Sequence, residues 1–164
     1  MGSFFSKTPR PLQEQLLTQY ASILSGDLLL VPSTELEVTL NSEMWARVGM
    51  IVRIGDKYQV YHGGIFEGID EYVSRHLSIQ LRQLKAGIGQ ETIYKFAQQS
   101  AETMMTTTVD QCDREGYAIA IVLQLMGLIG TKRLVGIRPY HFAVSDELLP
   151  YYSEAEELGF SPLL

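Results

Sequence analysis

Thiol and imidazole groups are the reactive chemistry that this sequence offers most directly. It has a single cysteine, Cys112, and three histidines. A thiol attacks only as its thiolate, which a neighbouring imidazole or a helix N-terminus favours. Asp110 and Asp113 flank Cys112, and their negative charge opposes thiolate formation. An active thiol enzyme that uses Cys112 with His62 is therefore an alternative interpretation and not the leading one.

The composition argues against several other kinds of site. One cysteine permits no internal disulfide and no zinc site built from several cysteines, which suits a reducing compartment. A formal net charge of -6 argues against a nucleic-acid partner, because phosphate backbones need clustered Lys and Arg. We expect no metal and no cofactor.

These reactive residues need a sheet and a helix to position them, and the apolar patterns predict both. Short apolar runs bounded by turn residues predict extended segments, at residues 27–31, 48–54, 58–62, 79–84 and 134–144. Apolar residues at helical spacing predict helices, at residues 11–24, 69–77, 90–104, 115–128 and 151–158. The order predicts an α+β class, with residues 1–10 as an N-terminal arm and residues 11–164 as a single domain.

The local sequence also predicts how the strands are joined and covered. Gly55 and Asp56 predict a hairpin turn, whereas Gly63, Gly64 and Gly68 indicate irregular backbone. Both faces of residues 48–53 are mostly apolar, so this strand should be covered on both sides. The helix at 115–128 is apolar almost all round and should be buried.

The N-terminus matches a lipid-attachment pattern. Gly2 and Ser6 fit the myristoylation signal, with Lys7 close behind. The alternative is that the first residues are the remnant of an expression tag. A single acyl chain anchors a protein only reversibly, so contact with a membrane surface would need support from protein partners.

Four segments of the sequence are similar to a known family. They are GDLLLV at residues 26–31, WARVGMIV at 45–52, YQVYH at 58–62 with GI at 68–69, and EGYAIAIVLQLMG at 115–127. In order and spacing the chain resembles the permuted branch of the NlpC-type papain-like superfamily, which includes YiiX-like and lecithin retinol acyltransferase-like proteins. The resemblance implies a permuted papain-like fold, with a small antiparallel sheet or half-barrel packed on a buried central helix.

The resemblance also implies a catalytic histidine, a nucleophilic cysteine at the start of the buried helix, and a polar residue that orients the histidine. These positions are Arg47, Glu115 and His62 here, and Cys112 lies about one turn too early. Arginine stays protonated at physiological pH and cannot act as a general base. Because Arg47 and Glu115 keep the charge signs of imidazolium and thiolate, we expect them to form a structural ion pair. Helix capping by Glu115 is the alternative.

Gly116 makes a helix that begins before Cys112 less favourable. His76 and His141 are weaker site candidates than His62, and the segment around His141 resembles the closing strand of the family.

These positions predict a catalytically degenerate module with a structural or binding role and with protein partners in a larger assembly. An acylated Gly2 would place it at the cytoplasmic membrane face of a eukaryotic or virus-infected cell. Large DNA viruses of eukaryotes encode proteins of this family, which suggests a virion component. Two alternatives are an active thiol hydrolase or acyltransferase that uses Cys112, and a protein that holds an acyl chain in the former substrate groove.

Overall fold

The computed structural model describes residues 25–36, 38, 44–76, 78–130, 138–144 and 148–157, with only the backbone of Gln111, Cys112, Val144 and Glu157. Within them lie β1 (Leu28–Pro32), β2 (Trp45–Ile54), β3 (Lys57–His62), β4 (Ile65–Gly68), α1 (Ile69–Ser74), β5 (Gln80–Arg82), α2 (Gln90–Met105), α3 (Gln111–Leu125), α4 (Pro139–Val144) and β6 (Glu156–Glu157). The strands form one antiparallel sheet in the order β4-β3-β2-β1-β5-β6. The predicted α+β class is confirmed.

The two hairpins at the centre of the sheet follow from their turn residues. Gly55 has a φ of 64° and joins β2 to β3, as predicted. Gly63 and Gly64 have φ values of 58° and 101°, and they join β3 to a strand that the sequence did not predict, β4. A two-residue turn with positive φ at both positions matches the right-handed twist of a hairpin, and Gly-Gly permits it.

The sheet is covered by apolar side chains on both faces, as the pattern of residues 48–53 predicts. Alternate strand residues such as Leu28, Val48 and Met50 join one core cluster with α2, α3 and α4. The residues between them, such as Leu29 and Ile51, join a second cluster with α1. Because side chains alternate along a strand, each strand contributes to both clusters.

Helix α3 is the buried helix of the larger cluster, but it begins at Gln111 and not at Glu115 as predicted. The side chain of Asp110 caps it and accepts a hydrogen bond from the Asp113 N–H at 3.0 Å. An aspartate cap satisfies one of the free N–H groups of a first turn. The helix passes through Gly116, and the capping role considered for Glu115 belongs to Asp110.

Two segments near the C-terminus differ from their predictions. Residues 139–144 are helical and not extended, since Pro139 occupies a first helical turn, where its missing N–H costs nothing. Residues 151–157 are not a helix. Tyr152 forms a bridge with Leu84, and β6 pairs with β5.

Gly2, the arm at 1–10 and the helix predicted at 11–24 lie outside the described residues. Among the helices that the structure describes, none combines the length and apolar character needed to cross a membrane.

Candidate functional site

The Glu115 carboxylate lies at one end of the sheet, where β2 begins and β3 ends. Its side chain is fully buried, in the second turn of α3. Arg47, the third residue of β2, donates from Nη1 to Glu115 Oε1 at 3.3 Å. The predicted ion pair is therefore present, and it links the start of β2 to α3.

His62 lies between two carboxylates. Its Nε2 is 2.8 Å from Glu67 Oε1, on β4, and its Nδ1 is 3.7 Å from Glu115 Oε2. Glu67 also accepts a hydrogen bond from the Arg75 guanidinium. Arg47, Glu115, His62, Glu67 and Arg75 thus form a continuous chain in which cationic or titratable side chains alternate with carboxylates.

Tyr72, on α1, is packed against this chain. The centroid of its ring lies 4.8 Å from that of His62 and 5.1 Å from that of His76, and Arg75 Cζ is 5.6 Å from the same centroid. Burial raises the pKa of Tyr72, and the Glu115 carboxylate raises it further. Burial lowers the pKa of His76 from 6.5 to about 4, and the charges of Arg47 and Arg75 add to this effect. Both side chains are therefore neutral at physiological pH.

Three polar atoms around these residues are buried without a hydrogen-bond partner among the described residues. They are Tyr72 Oη, His76 Nε2 and Glu115 Oε2. An unpaired buried polar atom costs roughly 1–3 kcal/mol, so native structures keep few of them. We call the seven side chains of this region the charge cluster: Arg47, His62, Glu67, Tyr72, Arg75, His76 and Glu115.

Arg114 holds the cluster in place from the adjacent helix position. Its guanidinium donates to the carbonyl oxygens of Gly63 at 2.8 Å, Met104 at 3.0 Å and Thr107 at 3.2 Å. These contacts join the end of α2 and the start of α3 to the turn between β3 and β4.

The cluster offers little conventional catalytic machinery. Arg47 cannot take up a proton, and His62 directs its two nitrogens toward two different carboxylates. Glu67 and Glu115 therefore lie on opposite sides of the His62 ring and do not face a common substrate position with it. Among the described side chains, no group of three His, Cys, Asp or Glu is arranged to hold a metal ion.

The structure places the remaining sequence candidates apart from this cluster or outside the described atoms. Cys112 is in the first turn of α3, three residues before Glu115, and its side chain lies outside the described atoms. His141 lies in α4, where its Nδ1 is 3.0 Å from the Arg138 backbone N–H. It contributes to the start of that helix, and the strand expected there is absent.

Three members of the charge cluster are not predicted as site residues by the sequence, Glu67, Tyr72 and Arg75, and His76 is predicted only as a weaker candidate than His62. The Gly63-Gly64 pair was a usable signal for Glu67, because it predicts a hairpin that returns β4 alongside His62. The sequence gives no comparable signal for Tyr72 or His76. A short amphipathic helix such as α1 is common wherever a helix packs on a sheet, so its pattern does not indicate a functional site.

Comparison with known proteins gives similarity to solved structures. No protein-family model matches the chain, and no curated protein matches it. A solved structure of the metalloprotein yiiX from Escherichia coli O157:H7 is similar to it, with a TM-score of 0.43 and 13% sequence identity. The match covers 70% of this chain and 67% of that chain.

Proposed function

We propose that this chain is a non-catalytic module with a permuted papain-like fold and a binding role. The observation that carries the proposal is the ion pair between Arg47 and the fully buried Glu115. By resemblance, these two positions are those of a catalytic imidazole and a nucleophilic thiolate. A guanidinium and a carboxylate reproduce the charge signs of that pair without its proton transfer.

An inert pair in this place supports binding more than hydrolysis. A buried ion pair is weak support for stability, because desolvation offsets much of the Coulomb attraction. The cluster also retains three buried polar atoms that have no hydrogen-bond partner in the described part of the chain, which a purely structural core would avoid. Because stability does not require these charged groups, we infer that they belong to a surface that recognises protein partners in an assembly.

Thiol reactivity tests the non-catalytic part of the proposal. We expect iodoacetamide to modify Cys112 no faster in the folded protein than in urea at the same pH. The Cys112→Ser variant, which must show no labelling, is the control. Faster labelling of the folded protein near pH 7, together with loss of that excess in His62→Gln, would show an activated thiol and refute the proposal.

An active thiol hydrolase or acyltransferase is the second candidate, and one observation favours it. Helix α3 begins at Gln111, so Cys112 lies in its first turn, where the helix dipole lowers a thiol pKa. Asp110 and Asp113 flank Cys112 in the sequence, and negative charge close to a thiol acts in the opposite direction. The labelling experiment separates the two candidates.

Lipid attachment at Gly2 and retention of an acyl chain remain further proposals. Intact mass measurement of the protein from eukaryotic cells tests the first, with Gly2→Ala as the control. A mass increment that corresponds to myristate, absent from the variant, is the expected result. The same measurement under native conditions detects a retained acyl chain, which disappears on denaturation.

A further inference from the structure

The charge cluster is layered, with its carboxylates inside and its guanidiniums outside. In the pair of Arg47 and Glu115, the side chains are 37% and 0% exposed. In the pair of Arg75 and Glu67, they are 52% and 21% exposed. The cluster therefore presents cationic groups to solvent, although each of these arginines has its own carboxylate.

Both guanidiniums keep N–H donors that bind no other group among the described residues. Arg47 uses Nη1 and Arg75 uses Nη2 in the contacts to their carboxylates. A guanidinium has several N–H donors in a planar fork that matches the oxygens of a phosphate. The carboxylates fix the two arginine side chains in advance, which lowers the entropy that binding would cost.

Tyr72 contacts Arg75 and a β2 residue close to Arg47. Arg75 Cζ is 5.6 Å from the centroid of the Tyr72 ring, and Tyr72 Oη is 3.4 Å from where a Cβ at Gly49, two residues after Arg47, would lie. The charges of both arginines also lower the pKa of His76, whose ring packs on Tyr72. Tyr72 has a fully buried side chain and an Oη with no hydrogen-bond partner among the described residues. A hydroxyl donor without an acceptor, beside two arginines, is suited to an anionic oxygen.

We propose that the charge cluster binds a phosphate group held between Arg47 and Arg75 at the surface above Tyr72. The inference rests on the proposed binding role of the same cluster and names its ligand class. Arg47 and Arg75 donate to the phosphate oxygens, and binding requires Arg47 to move so that the buried Tyr72 hydroxyl reaches one of them. Glu67 and Glu115 stay behind the guanidiniums and hold them.

The test measures thermal unfolding in inorganic phosphate against sodium chloride of equal ionic strength. Phosphate is expected to raise the Tm of the wild-type protein saturably by a few degrees. Arg75→Gln is expected to weaken the apparent affinity about tenfold, because it removes one charged donor. Tyr72→Phe, which keeps the packing of the ring, provides a second variant and should also weaken binding.

Arg53→Gln is the matched control. Arg53 also lies over a tyrosine ring, with Cζ 5.6 Å from the centroid of Tyr58, but at the other end of β2. It should leave the phosphate response unchanged. No saturable Tm shift in wild type, an unchanged response in Arg75→Gln, or an equal loss in Arg53→Gln would each overturn the proposal.

Vesicles distinguish a free phosphate from a lipid headgroup. Binding to phosphatidylcholine vesicles that contain phosphatidic acid, lost in Arg75→Gln, assigns the site to a lipid-borne phosphate. A Tm response to inorganic phosphate without vesicle binding assigns it to a free one. Failure of the phosphate test leaves the thiol result unaffected, whereas an activated Cys112 would refute the non-catalytic role without affecting the phosphate result.

Discussion

The two carboxylate oxygens of Glu115 face different partners, Arg47 and His62, at different distances. Its Oε1 takes the Arg47 guanidinium at 3.3 Å, while its Oε2 has only the longer approach of His62 Nδ1 at 3.7 Å. The sequence predicts the first contact because the two residues keep the charge signs of the pair they replace. It does not predict the second, because a histidine at a strand end carries no information on the direction of its ring.

His76 should make the protein less stable in mild acid. Its pKa in the folded protein, about 4, is below the ordinary value of 6.5, so the unfolded chain binds more protons between these two pH values. The stabilising effect is complete above pH 6.5 and is lost as the pH falls toward 4. We expect His76→Phe to reduce this acid-induced loss of unfolding free energy by about 1 kcal/mol. The figure allows for the partial exposure of His76, which weakens the effect.

Urea unfolding at intervals between pH 7 and pH 4.5 measures this effect. Tyr72→Phe is the control, since it changes the same cluster without removing a group that titrates in this range. A wild-type pH dependence that His76→Phe leaves unaltered would contradict the assignment.

At the scale of elements, Arg114 joins α2 and α3 to the turn between β3 and β4. Replacing it with methionine leaves the carbonyls of Gly63, Met104 and Thr107 without this donor. We expect Arg114→Met to lower the free energy of unfolding by about 2 kcal/mol. Arg114→Lys should recover only part of that loss, because a single ammonium group cannot reproduce the planar fork.

Urea unfolding of both variants tests this connection between elements. Equal stability of Arg114→Lys and wild type would show that charge alone matters, and equal stability of Arg114→Met would show that the three contacts contribute nothing.

The elements that the sequence predicts well are those with strong local signals. The β2–β3 hairpin has alternating apolar residues and a Gly55 turn, and α2 has an apolar face with Ile93, Ala97 and Met104 buried. The start of α3 differs from its prediction because the Asp110 cap outweighs the cost of Gly116 inside the helix. Residues 151–157 are not the helix that their spacing predicts, because their pairing with β5 and Leu84 overrides that local pattern.

At the scale of the whole molecule, contacts between distant segments decide what local patterns leave open. Tyr152 Oη donates to the carbonyl of Gly26 at 2.7 Å and connects the two ends of the described chain. The Ser153 N–H donates to the carbonyl of Gln83, and that of Lys85 to the carbonyl of Tyr151. These backbone bonds hold the C-terminal segment extended against β5. A single sequence shows none of these pairings, because each joins residues that are far apart along the chain.

Arg82 provides the test of this long-range organisation. It is almost completely buried at the end of β5, and it donates to the carbonyls of Ser153 at 2.8 Å and Phe142 at 2.7 Å. It thereby joins the sheet to α4 and to the C-terminal segment. We expect Arg82→Met, which keeps most of the side-chain length, to lower the free energy of unfolding by about 3 kcal/mol, since a buried and a partly buried carbonyl lose a charged donor.

Urea unfolding of Arg82→Met measures the loss, and Arg53→Met, at a more exposed position, serves as the control with an expected change within about 0.5 kcal/mol. Hydrogen exchange should show faster exchange of the Ser153 and Lys85 amides in Arg82→Met than in either wild type or the control. If exchange at these amides is unchanged while global stability falls, Arg82 stabilises the core without holding the C-terminal segment. If neither quantity changes, β5, α4 and that segment are held together by their apolar contacts alone.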